Sequence, residues 1–99
     1  MHIISIKRLR AFWEKHPDAE TPLRNWYRIT EKASWQNLAE TRVDFPHADP
    51  YEECTIFNIA GNKYRLITKI YYQHQTVLIR FVLTHAEYDR EGWKNDCHC

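Results

Sequence analysis

No run of 18 or more apolar residues occurs in this 99-residue chain, which excludes a membrane-spanning helix. The opening "MHIISIKRLR" has its charges after the short apolar stretch and lacks a small-residue cleavage site, so it does not read as a signal peptide. Cysteine is scarce. Cys54, Cys97 and Cys99 make an odd count with two at the very end, which offers no disulfide framework and suits a reducing cytoplasm. Cys97, His98 and Cys99 crowd together in the tail. Adjacent ligands at a chain end seldom form a structural metal site, and no fourth ligand has recognisable spacing, so no metal and no cofactor are expected. Paired carboxylates, a phosphate-cradling glycine-rich loop and a nucleophilic serine motif are also missing, and Cys54 has no activating partner in sequence. Internal repeats and low-complexity segments are lacking too, so one domain over 1–99 is expected.

Aromatic residues are abundant: four Trp, six Tyr and four Phe supply enough apolar surface to exclude a disordered chain. The net charge of +1 points to no polyanion by itself, but its distribution is uneven. Residues 1–33 hold seven basic and four acidic side chains, 34–54 one and five, and 55–99 six and four. Between Glu53 and Glu87 there is no acidic residue, while Lys63, Arg65, Lys69 and Arg80 all fall there. That is a locally basic surface on a near-neutral protein.

The apolar pattern divides the chain into a helical and a strand-rich half. A short strand is expected at 2–5. Ile6, Leu9, Phe12, Trp13 and His16 then recur at helical spacing, with Ser5 as N-cap and Pro17 ending the helix. Thr21-Pro22 signals a second helix with Leu23, Trp26, Tyr27 and Thr30 on its inner face, completing a helical hairpin. "SWQNLAETRV" suggests a short helix, and the acidic "DFPHADPYEE" (44–53) a mobile loop. "CTIFNI", "KYRLITKIYY" and "TVLIRFVL" are β-rich. A Gly61-Asn62 hairpin pairs Phe57 with Leu66 and Asn58 with Arg65. A His74-Gln75 turn would set Lys69 opposite Arg80 and Arg65 opposite Thr84. This register puts Phe57, Ile59, Tyr64, Leu66, Ile70, Val77, Ile79, Phe81 and Leu83 on one face. Asn58, Lys63, Arg65, Lys69 and Arg80 share the other with Ile67, Tyr71 and Val82. The fold expected is α+β in two layers: the helical hairpin on one face of an antiparallel sheet, a basic face left open, and a short C-terminal helix.

Lys69 opposite Arg80 would be a like-charge pair, which a purely structural sheet avoids unless something anionic offsets it. At the end of the last strand, "THAE" has capping-box spacing, so a helix should begin at His85 with Tyr88 three residues on along one face. Its position at the start of that helix favours nearby anions and a neutral His85 ring. Arg65, His85 and Tyr88 beside a cationic groove suit phosphodiester transfer in RNA. There the 2′-hydroxyl is the nucleophile, and the protein need only align it, move protons and offset charge. Tyr71 could stack on exposed bases. A non-catalytic RNA- or protein-binding module fits the same basic patch.

Three stretches carry a family resemblance: "FWEKHPDAETPLRNWY" (12–27), "FNIAGNKYRLI" (57–67) and "IRFVLTHAEYD" (79–89). Over roughly 1–90 the chain closely resembles HigB-type toxins of the RelE superfamily. The resemblance implies a RelE-like fold and a bacterial type II toxin–antitoxin module. It also implies a ribosome-dependent endoribonuclease acting on messenger RNA, neutralised by a helix-turn-helix antitoxin of HigA type in a toxin–antitoxin hetero-oligomer. It matches Arg65 to a strand arginine on the scissile phosphate, and His85 and Tyr88 to residues near the cut. Lys63, Lys69 and Arg80, with Asn58 and Tyr71, are carried as RNA-contacting residues. The acidic loop at 44–53 and the "GWKNDCHC" tail depart from the pattern.

Overall fold

The computed structural model describes residues 1–97, so His98 and Cys99 of the tail cluster lie outside the described residues. The elements run β1 (His2–Ile4), α1 (Lys7–Lys15), a 3-10 turn at Pro17–Ala19, α2 (Glu20–Lys32), α3 (Leu38–Asp44), β2 (Asp49–Tyr51), β3 (Cys54–Ile59), β4 (Tyr64–Tyr71), a 3-10 turn at Tyr72–His74, β5 (Thr76–Thr84), α4 (His85–Asp89) and a 3-10 stretch at Gly92–Cys97. The five strands form one sheet in the order β1-β5-β4-β3-β2. Its neighbours are antiparallel except for β1, which runs parallel to β5. The α+β, two-layer architecture expected of a RelE-like chain is present.

Helices α1 and α2 bury Leu9, Leu23, Trp26 and Thr30. Phe57, Ile59, Tyr64, Leu66, Val77 and Ile79 meet them from one sheet face. The rings interlock, with Trp26 edge-on to Phe57 at 5.5 Å between centroids. Such burial, about 25 cal/mol per Å² of apolar surface, is the main force holding the layers together. Two expected caps are absent. Ser5 takes a left-handed backbone (φ 72°) to turn the chain from β1 into α1, and Ile6 stands at the cap with no side-chain hydrogen bond. Helix α2 continues directly from the Pro17–Ala19 turn, so Thr21 and Pro22 fall inside its first turn. Proline is tolerated there because the first amides lack intrahelical acceptors.

The acidic segment is not a loose loop. Asp49–Tyr51 forms the edge strand β2, pairing with Cys54–Ile56 of β3. Pro50 is compatible with an edge position. Arg42 Nε donates to the Ala48 carbonyl at 2.9 Å, which ties α3 to the link into β2, and the Trp35 indole donates to Asp44 at 2.8 Å, which ties the segment before α3 to its end.

The β3–β4 register is as expected, with Phe57 opposite Leu66 and Asn58 opposite Arg65. The β4–β5 register is not. The connection is the Tyr72–His74 turn closed by Gln75 in left-handed conformation (φ 49°), so Tyr71 pairs with Thr76 and Lys69 with Leu78. The ladder then shifts between Ile67 and Thr68: Thr68 faces Ile79, Ile67 faces Phe81, and Arg80 is the extra residue of a β-bulge. Beyond it Arg65 faces Leu83, and Thr84 faces Tyr64. The like-charge pair of Lys69 and Arg80 therefore does not exist. The bulge also exchanges faces: Val82 packs on the helical side, whereas Phe81 and Leu83 turn to the opposite side.

That opposite side is not open. Cys54, Ile56, Ile67, Trp93 and Cys97 form a second buried cluster, flanked by Tyr51, Phe81, Leu83 and Tyr88. The Gly92–Cys97 stretch covers it, and a disulfide joins Cys54 to Cys97 with Cα atoms 5.3 Å apart. The expectation of unpaired cysteines fails because fold and tail bring together two residues 43 apart in sequence.

Candidate active site

Thr84 ends β5 and begins α4. Its hydroxyl accepts from the Glu87 amide at 3.3 Å, and the Glu87 carboxylate accepts from the Thr84 amide at 2.9 Å. This capping box stops the strand and aims the following turn, placing Tyr88 beside the sheet. Tyr88 is half-buried, its ring stacked on Trp93 at 5.1 Å and 10°. The Trp93 indole also donates to the Tyr88 carbonyl at 2.9 Å. From β4, the Arg65 guanidinium reaches within 5.2 Å of the Tyr88 ring centroid, a cation–π distance. One Arg65 nitrogen donates to the carbonyls of Asn62 (2.9 Å) and Tyr64 (3.2 Å), which orients the group without cancelling its charge.

Asn58, Arg65 and Tyr88 line an open cleft of about 350 Å³ with Arg42, His47 and Asp49. Arg42 comes from α3, whereas His47, in the link to β2, and Asp49, in β2 itself, belong to the segment expected to be a mobile acidic loop. Arg42 holds the Ala48 carbonyl, and Ala48 is buried between exposed His47 and Asp49, so both polar residues are carried on an anchored backbone. The alternation of polar His47, small Ala48 and polar Asp49 was the only local hint. The resulting site presents guanidinium, phenol, amide and imidazole groups to one open cleft. Such a set can bind a phosphate and move protons around it.

His85 stands apart from this cleft. It is exposed, with Nδ1 3.0 Å from the Asp89 carboxylate one turn on. The expected groove cations are also dispersed. Lys63 pairs with Asp18, whose other oxygen accepts from the Tyr64 hydroxyl at 2.6 Å. The hydrogen bond from Lys63, and then that from Tyr64, hold the Asp18 carboxyl below its usual range, while Asp18 pushes the Tyr64 phenol up. Arg80 makes a two-pronged pair with Asp96, both contacts at 2.5 Å. That hydrogen-bonded pair lowers the Asp96 pKa, and the charges of Lys69 and Arg8 act on it in the same direction. Arg80 is thus part of the tail's attachment, not a free cation of an open groove. Tyr71 is exposed six residues beyond Arg65, about 20 Å along the strand. Among the described residues, no cluster of three or more metal-ligating side chains occurs, and no helix is long and apolar enough to cross a membrane.

Comparison with known proteins agrees with this architecture. Residues 19–91 match the HigB_toxin family, described as the RelE-like toxic component of a toxin-antitoxin system. The mRNA interferase toxin HigB of Escherichia coli is 30% identical over 92 residues, covering 90% of this chain and 88% of that protein. The mRNA interferase HigB of Shigella flexneri matches with the same identity and coverage. The chain therefore belongs to the HigB toxin family, the RelE-like toxic components of toxin–antitoxin systems.

Proposed function

We propose that this toxin is an mRNA interferase: an endoribonuclease that cuts messenger RNA on the ribosome, in the cytoplasm, and so inhibits translation. The observation that carries the reading is the placement of Arg65 against Tyr88 in a cleft shared with Asn58 and His47. RNA brings its own nucleophile. In the reaction, the 2′-oxygen bonds to the adjacent phosphorus, the bond to the 5′-oxygen of the next nucleotide breaks, and a proton moves from the first oxygen to the second. The mechanism needs no metal to generate the nucleophile, only alignment, proton transfer and compensation of the charge on the phosphorane oxygens.

Arg65 is the phosphate clamp, because its planar guanidinium can give two parallel hydrogen bonds to phosphate oxygens. Tyr88 is the proton-handling or orienting group inside the cleft, and His85, outside it with its ring fixed by Asp89, orients RNA that runs past the cleft. Asn58 orients the ribose or phosphate at the cleft wall. Lys69 and Tyr71 lie on the path of the flanking strand, whereas Lys63 and Arg80 are committed to carboxylates. This pairing favours a compact catalytic cleft over the alternative of a broad RNA-adhesion surface. A helix-turn-helix antitoxin of HigA type would silence the protein in a hetero-oligomer by covering the cleft or fixing α4.

The test is a purified translation system. Wild-type protein should cut messenger RNA engaged on ribosomes and leave the same RNA intact when ribosomes are omitted. Equal cutting of free RNA would remove the ribosome requirement, and no cutting of either would remove the nuclease reading.

A further inference from the structure

We infer that the Cys54–Cys97 bond is a thiol-sensitive latch that positions the Arg65–Tyr88 pair by holding Trp93 against the Tyr88 ring. The inference rests on the proposed nuclease function. Its structural basis is separate, and lies in short elements at this corner joined by one covalent bond. Tyr88 is borne on α4, a helix of only five residues held by its capping box. Trp93 belongs to a six-residue 3-10 stretch, a length with no independent stability in water. Yet Trp93 is Tyr88's stacking partner, donates to its carbonyl, and meets Tyr51 edge-on at 5.3 Å.

The 3-10 stretch is kept on the sheet by burial of Trp93, Lys94 over the Tyr51 ring at 4.8 Å, the Arg80–Asp96 pair, and the disulfide into β3. Only the last is covalent and chemically switchable. The Glu53 amide donates to the Cys97 carbonyl at 3.0 Å, so the latch also fastens backbone to backbone. A cellular dithiol would open it by exchange: two electrons reduce the Cys54–Cys97 bond to two thiols, each taking a proton, and the dithiol leaves as its disulfide. The freed end can then lift Trp93 away, which removes the ring behind Tyr88 and loosens the phenol against Arg65. Oxidising conditions would therefore favour cleavage, and reducing conditions would damp it. Trp93 is a positioning residue here, because it acts through Tyr88.

The experiment compares the full chain in two states, oxidised and dithiothreitol-reduced, with free thiols counted by alkylation and mass and the bond located by peptide mapping. The expected result is a fall in kcat of about tenfold on reduction, with KM little changed, since small displacements cost rate while the Arg65 charge remains. Cys54→Ser should behave like reduced protein and ignore dithiothreitol. Trp93→Phe should retain most of kcat and Trp93→Ala should not. Equal kcat in both states, or a peptide map without the Cys54–Cys97 bond, overturns the latch. If neither state cleaves, the nuclease reading fails on its own. The latch is then judged by NMR: Tyr88 ring resonances, shifted by the stacked indole, must move on reduction, and unchanged resonances overturn it.

Discussion

Arg65 owes its position to three local facts: a strand register that turns it away from the helical core, two carbonyls that hold one nitrogen, and the Tyr88 ring beside it. None of these contacts holds the core together. Arg65→Ala should therefore lower cleavage by about 10²- to 10³-fold, the usual effect of deleting one group that stabilises a transition-state anion, with an unchanged melting temperature. Arg65→Lys should recover only a fraction of the activity, because an ammonium cannot offer the planar fork. Arg80 is the opposite case. Its charge was legible in the sequence but its partner was not, since Asp96 lies 16 residues on and reaches it only when the tail folds back. Arg80→Ala should destabilise the protein by about 1–2 kcal/mol, between an exposed pair and a buried one, as chemical denaturation would measure. The pH dependence has a definite sign. Asp96 titrates below its unfolded value because Arg80 hydrogen-bonds its charged form. Its contribution is complete above about pH 4 and is lost as pH falls through the lower folded pKa. Denaturation of Arg80→Ala should lack that component of acid sensitivity.

Among the elements, those written in neighbouring residues were readable and those made by distant ones were not. The capping box at Thr84 and Glu87, the Gly61-Asn62 hairpin and the inner faces of α1 and α2 depend on spacings of two to four residues. The bulge at Arg80 has no such signature: it turns Phe81 and Leu83 to the Trp93 cluster while Val82 packs on the helical side. Edge strand β2 was hidden by Pro50 and the acidic residues around it, and with it went His47 and Asp49 of the cleft. Strand register, capping-box spacing and the family resemblance pointed to Arg65, His85 and Tyr88; in the structure Arg65 and Tyr88 line the cleft and His85 is exposed beside Asp89. Because α4 is so short, its cap should matter for function. Thr84→Ala should cost about 1 kcal/mol in stability and, by loosening Tyr88, reduce kcat more than KM, which steady-state kinetics on an RNA substrate would show.

For the whole molecule, the decisive feature is how few cations remain uncommitted near the cleft. A groove engaging four would give a log–log salt dependence of binding near −3, whereas Arg42, Arg65 and Lys69 imply a slope of about −2 on single-stranded RNA. Oligonucleotide titrations from low to moderate salt should give the shallower value, and Arg80→Ala should leave it unchanged. A steep slope that falls in this variant would mean that the Arg80–Asp96 pair opens to receive RNA. The shallower slope would accord with the proposal that the ribosome presents the substrate.

In the proposed reaction the Arg65–Tyr88 cleft cuts messenger RNA. Mapping of RNA 5′ ends after brief expression without antitoxin tests it most directly, with wild type and a folded Arg65→Ala variant side by side. New ends should appear at defined positions within translated regions of wild-type cells, together with growth arrest, and both should vanish in the variant. Arrest without new ends, or the same ends in the Arg65→Ala cells, would contradict the account.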